Sequence, residues 1–435
     1  MRARYSVARL AAAFVISLSA AALCASSDED GVMRIGIDDC VKRALDVNIA
    51  VLRAKYDVDR ADGAGVSALS YMLPRVSYSV FYLESVNPRV VDDRVVPPGS
   101  FGTALRLTQP IFYGGSNVAR YLKTGASKRA SEEGLLAIES EVAFTARQRF
   151  LDVLRAKKLL EVQEEALELS EKQLERARAL VEVGSAVISD VLRARVEVSR
   201  NELELISARN GLRLAETALC HFLAIDGDCR LELDEDIGPV ELKLGLDEAI
   251  EMAVGMRPEV REAEAVLRSR NYAIWEYRGD WLPSLAFSAD YSWAGSNRLK
   301  LGEAWEESEW QWRVDMRWDL FNGLSRWGDA KQARANVNTA EEDLAQTKRD
   351  VALEVKEAYY NVEEAEQRVK VSAETVDLAE EELKLAGERY RLGAATMLEQ
   401  IDSQVSLSTA RTSYVEARYD YVISLARLAR AIGMR

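Results

Sequence analysis

Residues 312–323 read Trp-Arg-Val-Asp-Met-Arg-Trp-Asp-Leu-Phe-Asn-Gly. From Trp312 to Leu320 every second side chain is apolar and the ones between are charged, and Asn322-Gly323 follows. Alternation with a period of two is typical of a β-strand with one apolar and one polar face, and Asn-Gly is a turn signal. This stretch therefore predicts an amphipathic strand that ends in a turn.

A similar strand precedes it. Apolar residues alternate with small or polar ones from Leu285 to Trp293, and the segment from Gly295 to Glu309 is rich in turn residues. The two strands predict a hairpin whose arms have roughly 10 residues, the length that a tilted strand needs to cross a bilayer. Aromatic side chains near the strand ends fit an interface girdle.

The mature chain is an internal duplication. Ile35-Gly-Ile-Asp-Asp returns as Leu244-Gly-Leu-Asp-Glu, and Phe112-Tyr-Gly returns as Phe321-Asn-Gly, each 209 residues later. The same offset places residues 35–226 on residues 244–435 without a gap. We interpret these ranges as two helix–strand repeats joined by a linker at 227–243, and the first repeat predicts its own hairpin from strands near 76–82 and 105–111.

Long helices complete each repeat. One helix is predicted from Asp38, as its cap, to about Ser70, with a partner from Asp247 to about Arg278. After the hairpin, residues 116–183 contain no proline and carry apolar residues every seven positions, as do the equivalent residues of the second repeat. Such heptads indicate antiparallel coiled-coil hairpins, and about 68 residues of helix span on the order of 100 Å.

The two faces of the strands predict their surroundings. The apolar side chains are expected to face lipid, and polar ones a wet lumen: Ser77, Ser288, Asp290, Arg313, Asp315 and Arg317. Open strand edges are not tolerated in lipid, and four strands cannot close a barrel. The chain must then oligomerise, two copies giving eight strands and three giving twelve.

Composition narrows the class of protein further. The formal charge of −14 argues against nucleic-acid binding, which needs a basic face. Residues 1–25 are interpreted as a signal peptide, with lipidation at Cys24 as an open alternative. An exported chain reaches an oxidising compartment, so Cys220 and Cys229, which flank a turn-like stretch, are a possible disulfide, with two free thiols as the other reading.

The sequence resembles the TolC family of outer-membrane efflux proteins over essentially the whole mature chain. The most specific segments are Gln109-Pro-Ile-Phe-Tyr-Gly114, Asp319-Leu-Phe-Asn-Gly323 and Arg389-Tyr-Arg-Leu-Gly393. The resemblance implies a mainly α fold with a pair of membrane β-hairpins: a homotrimer whose twelve-stranded β-barrel, in outer-membrane lipid, continues as a periplasmic helical barrel. It implies an exit duct without a cofactor, served by a periplasmic adaptor (membrane fusion protein) and an inner-membrane transporter of RND, ABC or MFS type.

The resemblance also implies a periplasmic gate. Gly184 and Gly393 correspond to the hairpin tips, where an adaptor makes contact, and Glu399 and Asp402 align with an acidic ring at the constriction. Asp190 and Tyr390 align with positions that tie neighbouring hairpins together in the closed state, although Ala395 replaces the arginine of the family pattern. The alternatives are a solvated helix face for the two carboxylates and a core position for Tyr390.

Two other classes of protein compete with a channel. A structural or adaptor protein of the periplasm also has long helical hairpins, but an adaptor carries a compact β-domain between two helices instead of two membrane-length hairpins. An enzyme is disfavoured, because the chain has one histidine, no glycine-rich phosphate loop and no Gly-x-Ser-x-Gly motif.

Overall fold

A computed structural model describes residues 32–84, 89–91, 94–96, 99–225, 230–234, 244–295 and 308–434. The predicted signal peptide, Cys24 and Cys229 lie outside these residues. The first repeat contains β1 (Val32–Ile35), α1 (Ile37–Val47), α2 (Ile49–Ser70), β2 (Arg75–Glu84), β3 (Arg89–Val91), β4 (Arg94–Val96), β5 (Gly99–Tyr113), α3 (Ser116–Glu182) and α4 (Ile188–Phe222). The second contains α5 (Leu246–Met256), α6 (Pro258–Gly279), β7 (Ser284–Gly295), β8 (Ser308–Arg317), α7 (Ser325–Arg391) and α8 (Met397–Ile432).

The boundaries repeat with the offset of 209 residues. α1 maps onto α5, α2 onto α6 and α3 onto α7 residue for residue, and α4 differs from α8 by one residue at its end. Between the repeats, β6 (Arg230–Leu233) pairs in parallel with β1, so part of the predicted linker is a strand. The division of the chain into repeats and linker stays a prediction about domains.

The prediction of one continuous helix before each hairpin was wrong. The first helix breaks at Asn48, whose backbone is extended and whose side-chain oxygen accepts a hydrogen bond from the Ala50 amide, which caps α2. The second breaks at Arg257, because the residue before Pro258 is sterically forced out of the helical region. The predicted cap Asp38 lies inside the first turn of α1, where Gly36 is the N-cap and makes no side-chain bond.

The two hairpins form one antiparallel sheet in the order β2-β5-β7-β8. β5 is the shared neighbour, since it pairs with β2 from Arg75–Thr108 to Glu84–Gly99 and with β7 across twelve positions. A register shift lies between Pro110 and Phe112, where proline lacks an amide hydrogen for the ladder. β8 ends at Arg317, three residues before the predicted end, and β3 with β4 forms a small hairpin that the sequence did not suggest.

The helices fold back as two antiparallel hairpins, α3 with α4 and α7 with α8, and α8 also contacts α3 and α4. Heptad residues of the first repeat such as Val153 and Leu174 are buried. In α7 beyond Ala358 the buried positions are alanines, Ala365, Ala379 and Ala386, which let neighbouring helices approach closely. The main core lies where α1, α3, α4 and α8 meet, and a second one joins α5, α6, α7 and α8.

Within the described ranges, no helix is both long and apolar enough to cross a bilayer.

Candidate functional site

The hairpin tips have the same turn in both repeats. Gly184 and Gly393 lie in the left-handed region, with φ of 73° and 74°. The amides of Ser185 and Ala394 donate to the carbonyls of Leu180 and Arg389, both at 2.8 Å, closing a wide turn over the helix end. A side chain is strained at positive φ, so glycine is the residue that this turn requires.

The predicted gate residues gather beside these tips. Thr396 caps α8 by accepting a hydrogen bond from the Glu399 amide at 3.3 Å. Glu399 and Asp402 follow one turn apart on an exposed face. The Glu399 carboxylate lies 3.6 Å from the guanidinium of Arg389, an ion pair between the end of α7 and the start of α8 that the sequence did not suggest. Both side chains are about half exposed, so the pair contributes little stability.

Tyr390 and Asp190 lie on different hairpins but close together. Burial and the negative charge of Asp190 raise the pKa of Tyr390. The Tyr390 ring packs against an apolar cluster of Leu174, Ala177 and Met397, and its buried hydroxyl makes no hydrogen bond within the described ranges. Tyr390 therefore has a core environment and also lies at the contact between hairpins.

A group of polar side chains that the sequence reading missed is buried where α8 meets α3 and α4. We call it the polar seam: Ser170, Gln173, Glu197, Asn201, Gln400, Ser403 and Gln404. The side-chain amides of Asn201 and Gln404 both donate to the Ala166 carbonyl, at 3.4 and 3.1 Å, which links the three helices. Polar residues at heptad positions, such as Ser170 beside Leu167 and Leu174, were the available sequence signal.

The sheet separates its two faces as the alternation predicts. The cross-strand pairs Ser77–Arg106, Arg106–Asp290 and Ser288–Arg313 put the predicted lumen residues on one face. There Asp290 is buried and pairs with Arg106 and, at 3.9 Å, with Arg313, which also lies 3.1 Å from Asp315. Arg317 lies on the same face, opposite Ser284. That this face lines a lumen remains a prediction.

The opposite face is apolar, aromatic and largely exposed in the single chain. Tyr291 contacts Trp293 and Trp310 with ring centroids 4.9 and 4.7 Å apart. The exposed members are Val76, Tyr78, Val80, Tyr82, Leu105, Trp310, Trp312, Val314 and Met316. An apolar face of this extent needs a covering of lipid or protein.

Two cysteines, Cys40 and Cys220, are buried. Cys40 is buried in the first core, and burial raises the pKa of its thiol to about 12, so it stays protonated and unreactive. Cys220 is also buried, but Cys229 lies outside the described residues, so the Cys220–Cys229 bridge stays a prediction. Mass spectrometry after alkylation without reductant would test it.

The sequence profile of the outer membrane efflux protein family matches residues 40–224 and 249–434, both repeats. The chain belongs to this family. It is 23% identical over 379 residues to the outer membrane protein TolC of Vibrio cholerae, a match that covers 86% of this chain and 85% of that protein. Its place in the outer membrane, expected from the sequence, is confirmed by the family.

Solved structures confirm the fold. Crystal structures of CusC superpose with a TM-score of 0.82 at 18% identity, covering 92% of each chain. The CmeC outer membrane channel of Campylobacter jejuni gives 0.80 at 17% identity, covering 91% of this chain and 85% of that one. The predicted combination of long helical hairpins and a β contribution is thus that of known outer-membrane channels.

Proposed function

We propose that three copies of the chain close into one continuous duct, the exit channel of a tripartite efflux or type I secretion system. In this proposal an inner-membrane transporter of RND, ABC or MFS type and a periplasmic adaptor deliver substrate, which then passes without catalysis. The observation that carries the proposal is the four-stranded sheet, apolar on one face and polar on the other, whose outer strands β2 and β8 each have one neighbour among the described residues.

Open edges favour closure by further copies. In lipid, every backbone group needs a partner, so β8 of one copy would pair with β2 of the next. Three copies give twelve strands, with the polar face inside and the aromatic face towards lipid. The alternative function, a structural or adaptor protein of the periplasm, would leave the apolar face of this sheet exposed to water.

The internal symmetry supports a head-to-tail ring. The groove between α2 and α3, about 640 Å³, is covered on one side by Arg268 and Tyr272 of α6. Its equivalent between α6 and α7, about 610 Å³, is lined by these two helices, by Trp281 just after α6 and by Leu324 just before α7. A second copy offers Asp59 and Gly63 of its α2 at the positions equivalent to Arg268 and Tyr272.

The groove between α6 and α7 is positively charged, and α2 of a second copy would bring a negative charge to it. Arg278, Lys331 and Arg334 line it, and none of them has a carboxylate partner within the described ranges. Asp59, on the exposed side of α2, would bring a negative charge to them. Towards the hairpin tips, α7 and its C-cap Leu392 carry an exposed apolar stripe with heptad spacing, Val371, Leu378, Leu385 and Leu392. The exposed side of α4 carries Leu192, Val196, Leu203 and Ile206. These stripes fit the coiled-coil contact that closes a helical tube.

The test combines assembly with conduction. The purified full-length protein should come from the outer-membrane fraction, run as a trimer in detergent and form pores in planar bilayers. Asp59→Lys should weaken the trimer through like charges, whereas Asp57→Lys, whose carboxylate already pairs with Arg60 on its own helix at 2.9 Å, should weaken it less. A periplasmic monomer that forms no pores would contradict the proposal.

A further inference from the structure

Glu197, in the polar seam, is a carboxylate with an unusual environment. Glu197 is 8% exposed, and within the described ranges its carboxylate makes no ion pair or hydrogen bond. Its carboxylate oxygens keep some contact with solvent at the edge of a cavity. Partial desolvation without a partner still disfavours the ionised form relative to the protonated form. The packing of α4 against α8 therefore depends on whether this group carries a proton.

The charged groups around Glu197 do not compensate it. Arg200 and Glu204 lie on its own helix and line the same cavity, and Asp402 faces it from α8. On the α3 side the cavity is lined by Gln163 and Ala166, which bring no charge. The carboxylate thus has one cation nearby on its own helix and a second carboxylate across the contact with α8.

A polar cavity of about 250 Å³ separates the helices at this level. Gln404, which lines it, is 2% exposed, and its side-chain oxygen accepts no hydrogen bond within the described ranges. One turn away the contact is apolar and close, through Ala194, Val198 and Ile401. The seam is therefore a loosely satisfied layer beside a tight one, a place where two arrangements of α8 can be similar in energy.

We propose that protonation of Glu197 holds the start of α8 against α3 and α4, and that its ionisation beside Asp402 releases it, so that periplasmic pH regulates the hairpin that carries the candidate gate. This regulation rests on the proposed duct for its physiological meaning. The contact itself, between helices of one chain, does not depend on it.

The pKa of Glu197 is raised, and a raised pKa makes protonation favour the packed state. Burial raises the pKa of Glu197, Arg200 lowers it by a smaller effect, and Asp402 raises it again, for a net increase. A carboxyl whose pKa is raised in the packed state stabilises that state fully below the ordinary pKa of about 4.3. The stabilisation is lost as pH rises through the raised pKa, so acid closes the seam and alkali loosens it.

The experiment measures native hydrogen exchange of the α8 amides at 397–404 in the full-length protein in detergent, as protection factors between about pH 4 and pH 8. In the unsubstituted protein the opening constant should rise with pH, by up to about tenfold per pH unit for one proton. Glu197→Gln, an isosteric neutral side chain, should hold protection at its acid value throughout. Asp402→Asn should move the rise to lower pH, because a like charge is removed.

Glu202→Gln is the matched control, an exposed carboxylate on the same helix outside the residues that line the cavity, and should keep the original pH profile. A profile that is flat in the unsubstituted protein, or unchanged in Glu197→Gln, overturns the inference. Hydrogen exchange needs no conduction, so a protein that forms no pores would overturn the proposed duct and still give a readable result here. A conducting protein with a flat profile overturns this inference alone.

Discussion

At the scale of single residues, glycine has two different roles in the long hairpins. Gly393 has a φ of 74° at the second tip, whereas Gly211 lies inside α4 with nothing within 4 Å of the position that a methyl group would take. At Gly393 the backbone conformation determines how a substitution changes stability, whereas at Gly211 helix propensity determines it. The same substitution should therefore have opposite effects at the two sites.

We expect Gly393→Ala to destabilise the tip by about 1 kcal/mol, because an L-residue is strained in the left-handed region. Gly211→Ala should stabilise the protein by about 0.5–1 kcal/mol, because alanine is the better helix former. Thermal unfolding followed by circular dichroism measures both. Equal shifts of the same sign would contradict this account of the turn.

At the scale of elements, the end of α8 is anchored on the break between α5 and α6. Arg257, 5% exposed, donates to Glu259 and Glu354, each at 2.8 Å, and to the Ala431 carbonyl at 3.3 Å. Arg430 adds an ion pair with Glu141 of the first repeat. The residue equivalent to Arg257 in the first repeat is Asn48, which caps a helix and forms no such network within the described ranges.

Arg257→Met should lower the free energy of unfolding by about 2 kcal/mol, because Glu259 loses its hydrogen bonds from the guanidinium and the Ala431 carbonyl loses a charged donor, whereas Glu354 keeps its ion pair with Arg430. The matched control is Arg349→Met on the exposed side of α7, where the guanidinium bonds only Gln346 within the described ranges, and its effect should be within about 0.5 kcal/mol. Urea unfolding compares the two. Similar losses in both variants would show that Arg257 is not an anchor.

At the scale of the whole molecule, the two repeats share their architecture and differ at the gate. Glu399 and Asp402 of the second repeat correspond to Asp190 and Arg193 of the first. In the proposed trimer the acidic ring would hence contain six carboxylates with threefold symmetry. The ion pair of Glu399 with Arg389 reduces the free charge but leaves Asp402 exposed.

Neutralising the ring with Glu399→Gln and Asp402→Asn should weaken block of single channels by multivalent cations by on the order of tenfold, since cations bind where carboxylates converge. Glu416→Gln, an exposed carboxylate farther along α8, is the control and should leave the block unchanged. Single-channel recording in planar bilayers makes the comparison. Block that survives the double substitution removes these two residues as the ring.

The sequence by itself determined the duplication, because its residues return at one constant offset of 209 positions. It also determined the long helical hairpins, the strands and the separation of the sheet into two faces, because periodicities of two, 3.6 and seven residues are local properties of the chain. It also contained the signals for the breaks at Asn48 and Arg257, a helix-capping asparagine and a residue before proline, which the prediction of continuous helices overlooked. Only the tertiary structure decided that β5 joins β7, that Asp190 lies beside Tyr390 and that Glu197 is buried opposite Asp402. These contacts bring together residues about 200 positions apart in the chain, and no local period records which face of one element meets which face of another.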